Sequence, residues 1–212
     1  MNLHLSVLNK QQADLLKKLK FLEKYGFYLA GGTALALQIG HRTSLDFDFY
    51  TEKKFNSRKL REKFDRRFKE VREIYIAEDT LGLSVDSIGV SFFQYTYPLI
   101  KSCQKVEGVS LASLEDIAAM KVLAISQRGR RRDFIDIYFL IKEFGLKQII
   151  EFIPKKYPMF NIYVGLQGLT YFKDADEDPE KNRCKLFKEI RWNEVKKFII
   201  KEVNKLWLQK IK

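Results

Sequence analysis

The chain has 212 residues, 46% of them hydrophobic and 14% aromatic, ample for a packed core in one sizeable domain or two small ones. Lys and Arg outnumber Asp and Glu by 39 to 27, a formal +12, which favours polyanionic partners such as nucleotides or RNA. Cys103 and Cys184 with two histidines give neither a disulfide framework nor a zinc spacing, and no signal peptide or membrane span is read, so a cytoplasmic protein without a membrane partner is expected.

In chain order, residues 9–25 carry Leu15, Leu16, Leu19 and Leu22 at helical spacing, with Gly26 as a stop. Residues 27–30 read as a strand, Gly31-Gly32 as a turn, 33–39 as a short apolar helix, His41-Arg42-Thr43-Ser44 as a basic turn and 45–50 as a second strand. A charged helix over 57–69 turns Leu60, Phe64 and Phe68 inward. Three strands follow at 71–77, 81–85 and 88–94, the last two joined by a hairpin turn at Asp86-Ser87. Residues 95–109 contain Pro98 and Gly108 without any period and read as a connection, which divides the chain into domains 1–108 and 109–212.

From Leu111 the pattern is helical. Ser113-Leu-Glu-Asp116 resembles a capping box and opens a helix that runs to Gln127. Further helices are predicted over 133–143, 146–155, 161–171 and 192–210, the last burying Trp192, Val195, Phe198, Ile199, Val203 and Leu206. The acidic run 174–179 reads as a solvated loop rather than a metal site. The fold class is α+β: a small mixed β-sheet domain flanked by helices, then a C-terminal helical bundle.

The chemistry concentrates at Gly31-Gly32-Thr33 and Asp46-Phe47-Asp48. Side chains alternate along a strand, so Asp46 and Asp48 share a face while Leu45, Phe47 and Phe49 point into the core. Two carboxylates about 7 Å apart on one face repel each other unless a cation lies between them. Hard oxygen ligands on a rigid strand suit Mg²⁺, which completes its shell with substrate phosphates. Glycines at a helix N-terminus leave backbone N–H groups open to a triphosphate. Further on, Lys121 and Arg128 share a helix face, and Arg128-Gly-Arg-Arg-Arg132 leads into Asp133 and Asp136, one turn apart. Beside an Asp-x-Asp pair, this lysine and these arginines would clamp a triphosphate. Read alone, they are solvent-facing charge and first-turn carboxylates.

The segments 31–37, 41–49, and Lys121 with 128–138 resemble the AbiEii/AbiGii toxin family, within the DNA polymerase beta-like nucleotidyltransferase superfamily. The resemblance implies a nucleotidyltransferase core domain and a helical bundle, in toxins of type IV toxin–antitoxin and abortive-infection systems. It also implies nucleoside triphosphate binding and, in some members, nucleotide addition to the tRNA 3′ end. By position, Asp46 and Asp48 resemble the metal pair, for up to two Mg²⁺ ions, and Gly31-Gly32-Thr33 the phosphate turn, with Arg42 and Ser44 in the same motif. Lys121 resembles the lysine that meets the nucleotide, and Asp133 and Asp136 the distal acidic motif; Arg128 and Arg132 complete the nucleotide-binding set. Two departures stand out: Gly32 replaces the usual Ser, and the strand Val90-Ser91-Phe92-Phe93 lacks the usual third carboxylate, a role open to Lys121 or Asp133. The expectation is a metal-dependent transferase of NMP to RNA, with a cognate antitoxin as a further partner. A binding module without catalysis and an antibiotic nucleotidyltransferase are the alternatives, the latter disfavoured by the positive charge.

Overall fold

The computed structural model describes residues 3–210 and is α+β. The chain divides into two compact units. Residues up to Ile39, Ser44–Pro98 and Ser102–Ala112 make the first; Gly40–Thr43, Leu99–Lys101 and residues from Ser113 onward make the second. The division placed by sequence after residue 108 thus lies after Ala112, and two short segments join the second unit from within the first.

The first unit opens with α1 (Lys10–Lys18), which continues as a 3₁₀ turn over Leu19–Tyr25 and stops at left-handed Gly26. Asn9 and Gln12 form a reciprocal capping box at its start, each side chain accepting from the other's backbone N–H. Then come β1 (Tyr28–Ala30), α2 (Gly31–Ile39), β2 (Phe47–Thr51), α3 (Ser57–Asp65), β3 (Val71–Ala77), β4 (Thr80–Val85), β5 (Ile88–Gln94), β6 (Gln104–Val106) and β7 (Val109–Leu111). Among the described residues these strands form one sheet in the order β3-β4-β5-β2-β1-β7-β6. Pairing is parallel between β2 and β5 and between β1 and β7, and antiparallel elsewhere, so the sheet is mixed.

Alternation sets which face of β2 is buried. Phe47 and Phe49 are fully enclosed while Asp48 and Tyr50 are partly exposed. Phe49 stacks on Phe92 of β5 at 5.7 Å between centroids, and Phe27 and Phe64 meet the same ring edge-on at 5.3 Å. Burying each such ring stabilises the unit by roughly 1.5–3 kcal/mol, and this aromatic centre fixes the register of the strand that carries Asp48. The β4–β5 hairpin turns at Asp86 and Ser87, as expected, with φ of +48° and +68°, the backbone a type I′ turn demands. Strand β3 carries a register shift between Glu73 and Tyr75, and the Tyr75 ring lies over Gly82 of β4. The segment read as a connection, 95–109, holds β6 and the start of β7; three-residue strands are too short to show a period of two.

The second unit is helical: α4 (Leu114–Arg128), α5 (Arg131–Phe144), α6 (Leu146–Lys156), α7 (Ile162–Thr170), α8 (Lys173–Asp176) and α9 (Trp192–Lys210). Ser113 caps α4 by accepting from the Asp116 N–H at 3.0 Å. The Asp116 carboxylate accepts from the Ile100 and Lys101 N–H groups and from the Lys156 ammonium at 2.7 Å, and both members of that ion pair are fully buried. Asp116 is therefore a hub for three chain segments, where its capping position alone suggested a local role. Helix α7 approaches α4 through two glycines: a Cβ at Gly168 would lie 2.9 Å from the Ser126 Cα, and one at Gly165 2.9 Å from the Val122 side chain. In α9, Val195, Ile199, Val203 and Leu206 are buried as expected, whereas Trp192 and Phe198 are half-buried.

The acidic run 174–179 is not simply solvated. Its first part is α8, and Asp178 is buried, accepting from the Arg131 N–H at 3.0 Å. Arg130, the residue before α5, offers no cap of its own, so Asp178 satisfies the orphan donor at that helix start. Among the described residues, no helix is long and apolar enough to cross a membrane.

Candidate functional site

The first unit gathers Gly31, Gly32, Thr33, Ser44, Asp46 and Asp48. Strand β1 ends at Ala30, which pairs with Asp48, and α2 starts at the next residue. Gly31 has φ of +66°, and a Cβ there would sit 3.2 Å from the Asp48 Oδ2. The left-handed conformation is what favours glycine here, and a side chain would also make the Asp48 carboxylate give way by a few tenths of an ångström. Asp46 lies just before β2 and has its own glycine neighbour, since a Cβ at Gly89 would come within 2.7 Å of the Asp46 Oδ1. In the sequence Gly89 is only one residue of the strand read over 88–94; its approach to Asp46 is non-local and leaves no sequence signal.

The stretch leading into β2 has no regular structure, yet three successive carbonyls are held by side chains. Gln12 Nε2 donates to the Ser44 and Leu45 carbonyls, each at 2.8 Å, and Thr33 Oγ1 donates to that of Asp46. The Thr33 and Ser44 hydroxyls share a further hydrogen bond at 2.7 Å. Gln12 was not among the expected site residues. The Asn-x-x-Gln box was the available clue, but nothing in it announced that the amide reaches across to residue 44. Across the parallel β2–β5 pair, Asp48 is in register with Ser91, so a hydroxyl stands beside Asp48 on the strand where a third carboxylate was sought.

The second unit gathers Arg42, Lys121, Asp133 and Asp136, and adds His41. The Asp136 carboxylate is fully buried and meets Arg42 through Nε at 2.7 Å and Nη2 at 2.8 Å, His41 Nε2 at 2.7 Å and Lys121 Nζ at 2.6 Å. The same ammonium meets Asp133 at 2.6 Å. Burial works against the charge on Asp136, but Arg42 and Lys121 outweigh it and hold the carboxyl well below its usual range. Burial likewise opposes the Lys121 charge, and Asp133 with Asp136 overcomes it, raising its pKa. For His41 burial wins over the bond to Asp136 and lowers the pKa, so the imidazole is neutral near pH 7. A carboxylate only accepts, so Nε2 carries the proton, and Nδ1 is buried without a hydrogen-bond partner. With His41 neutral, two cations face two anions, which is the balance a buried cluster requires.

The remaining expected residues lie apart from this network. Arg128 is exposed at the end of α4 and borders a cleft of about 470 Å³ lined also by Gln167, Gly168 and Tyr171. Arg132 turns to Glu180 at 3.3 Å. Among the described residues no group of three His, Cys, Asp or Glu side chains could hold a metal. The donor set at Asp46 and Asp48 still fits Mg²⁺, which binds through one or two carboxylates and takes its other ligands from water and substrate phosphates.

Residues 14–107 and 87–210 match the family model for the nucleotidyl transferase AbiEii toxin of type IV toxin–antitoxin systems. An uncharacterised protein of Aquifex aeolicus is 39% identical over 205 residues, 92% of this chain and 96% of that protein. Among solved structures, one of a putative nucleotidyltransferase from Helicobacter pylori superposes with a TM-score of 0.62 at 19% identity, covering 97% of this chain and 99% of that one. The nucleotidyltransferase toxin MenT4 of Mycobacterium tuberculosis superposes with a TM-score of 0.53 at 13% identity, covering 92% of this chain and 84% of that one.

Proposed function

From the premise that this chain belongs to the nucleotidyl transferase AbiEii toxin family, we propose that it transfers a nucleoside monophosphate from a nucleoside triphosphate to RNA, with the tRNA 3′ end as acceptor. The observation that carries this reading is the pair Asp46 and Asp48, each seated against a glycine, at the start of the helix led by Gly31-Gly32. In this reading the amides of that helix start take phosphate oxygens. Asp46 and Asp48 hold Mg²⁺, which when bound neutralises the triphosphate. Thr33, Ser44 and Gln12 fix the chain that presents Asp46. The acceptor hydroxyl attacks the α-phosphorus, a new P–O bond forms, the bond to pyrophosphate breaks, and the hydroxyl's proton passes to solvent. In the second unit, Lys121 with Arg42 and Asp133 with Asp136 belong to a neutral network. A cognate antitoxin is part of the same proposal.

Replacing Asp46 and Asp48 together by Asn tests the reading, with incorporation of labelled nucleotide into tRNA as the readout. Loss of Mg²⁺-dependent incorporation in a folded variant supports it, and undiminished incorporation refutes the metal assignment. A second reading, nucleotide binding without transfer, is favoured by Ser91 standing opposite Asp48. It predicts that the parent binds triphosphate with Mg²⁺ yet incorporates none.

A further inference from the structure

The arginines that follow α4 converge on a single acidic side chain. Glu180 Oε2 accepts from Arg130 at 2.7 Å and from Arg132 at 3.3 Å, and Oε1 accepts from Arg183 at 2.9 Å. The carboxylate is presented by a built turn. Asp178 accepts from the Glu180 N–H at 2.9 Å and from the Arg131 N–H at 3.0 Å, and the Arg183 N–H donates to the Glu180 carbonyl at 2.9 Å. Asp178 thus ties the turn to the start of α5. None of the four paired side chains is buried, so water and a ligand both have access to them.

Each arginine reaches Glu180 through a single N–H, and the same convergence of guanidiniums would serve the several oxygens of a phosphate, to which each could offer a second donor. The surrounding chain extends the same chemistry, for Lys181, Arg183, Lys185 and Lys188 are exposed within eight residues, with Phe187 exposed among them. A basic track with an exposed aromatic is suited to a single-stranded nucleic acid, whose phosphates follow the charge while a base stacks on the ring. A purely acidic chain such as polyglutamate would match the charge but leave the ring without a stacking partner.

We propose that Arg130, Arg132 and Arg183 form a phosphodiester-binding site for single-stranded RNA, in which Glu180 stands in for the phosphate and competes with it. The inference rests on the RNA-acceptor reading and specifies where in the second unit the acceptor backbone is gripped. Glu180 sets the affinity: RNA displaces it, and its turn, held through Asp178, returns it when RNA leaves.

The test measures binding of a fluorescent single-stranded RNA dodecamer by the full chain across a salt series. Glu180→Gln keeps the shape and removes the competing charge, and exposed salt bridges of this kind contribute little to stability. It should tighten binding by about threefold or more and steepen the salt dependence by about 0.7 for each additional RNA phosphate that the arginines neutralise. Glu189→Gln, a control with the same charge change at an exposed position on the same segment, should have a much smaller effect. Adding Arg130→Ala and Arg132→Ala to Glu180→Gln should cancel the tighter binding. The proposal is overturned if Glu180→Gln binds RNA like the parent, or if Glu189→Gln matches it. It is equally overturned if polyglutamate binds as RNA does and shows the same response to the variants. Labelled-nucleotide transfer, measured on the same samples, separates the two readings. Transfer without any effect of Glu180→Gln on RNA binding sinks this inference alone. The expected binding pattern without transfer sinks the transferase reading alone.

Discussion

Gly89 shows how much of this site is set by a missing side chain. A methyl group there would lie 2.7 Å from the Asp46 Oδ1, so the carboxylate must move when the methyl is present. Gly89→Ala is expected to lower Mg²⁺-dependent nucleotide incorporation by roughly tenfold or more, the scale of effect that follows from displacing a catalytic group by an ångström. Melting should shift little, because the aspartate can swing toward solvent. Gln12 acts through the backbone instead. Gln12→Ala leaves the Ser44 and Leu45 carbonyls without their donor and should cost about 1–3 kcal/mol, measured by denaturant unfolding. His41 makes a prediction in pH. Its folded pKa is lowered, so below the ordinary value of 6.5 the unfolded chain takes up the proton first. Stability should therefore fall as pH drops from about 7 through 6, by up to about 1.4 kcal/mol per unit. His41→Asn should flatten that slope in unfolding curves taken at a series of pH values; an unchanged slope would place the titration elsewhere.

At the scale of elements, what could be read in the sequence depended on how local each signal was. The β4–β5 hairpin announces itself within a few residues and turns where expected, whereas the glycine turn and the Asp-x-Asp strand are displaced: α2 already begins at Gly31 and β2 only at Phe47, so Asp46 precedes the strand it was read into. Strands β6 and β7 were missed because three residues hold barely one alternation, and the pairing of β7 with β1 comes from packing. The cap of α5 was missed because its acceptor, Asp178, lies 47 residues away. The buried cluster was half legible: Arg42, Lys121, Asp133 and Asp136 were marked as site residues, while His41 passed as part of a basic turn. Between α4 and α7, the close glycine approach makes its own prediction. Gly168→Val would drive a side chain against the Ser126 backbone and should destabilise by about 1–3 kcal/mol or more, whereas substitution at exposed Gln127 should be nearly neutral.

For the whole molecule, ligand linkage gives the simplest test of the nucleotide. A triphosphate with Mg²⁺ that binds only the folded chain should add about 2.7 kcal/mol at a hundred times its Kd. That stabilisation should disappear in the Asp46 and Asp48 double variant, as thermal shift would report. The charge of +12 adds a dependence on ionic strength, and RNA binding should weaken steeply with salt.

The sheet has two edges, and they differ in how they meet solvent. β6 is three residues long, but β3 runs seven, with Ile74 61% exposed. A flat apolar edge of that length is a template on which further copies of a strand can add, which is how ordered aggregates begin. The irregularity between Glu73 and Tyr75 interrupts that template. An incoming strand would find its ladder out of step halfway along, and the exposed isoleucine would stand where pairing fails. The kink is thus a guard against self-association. Deleting Ile74 would straighten the edge and leave a chain that folds when dilute but scatters light increasingly as its concentration rises.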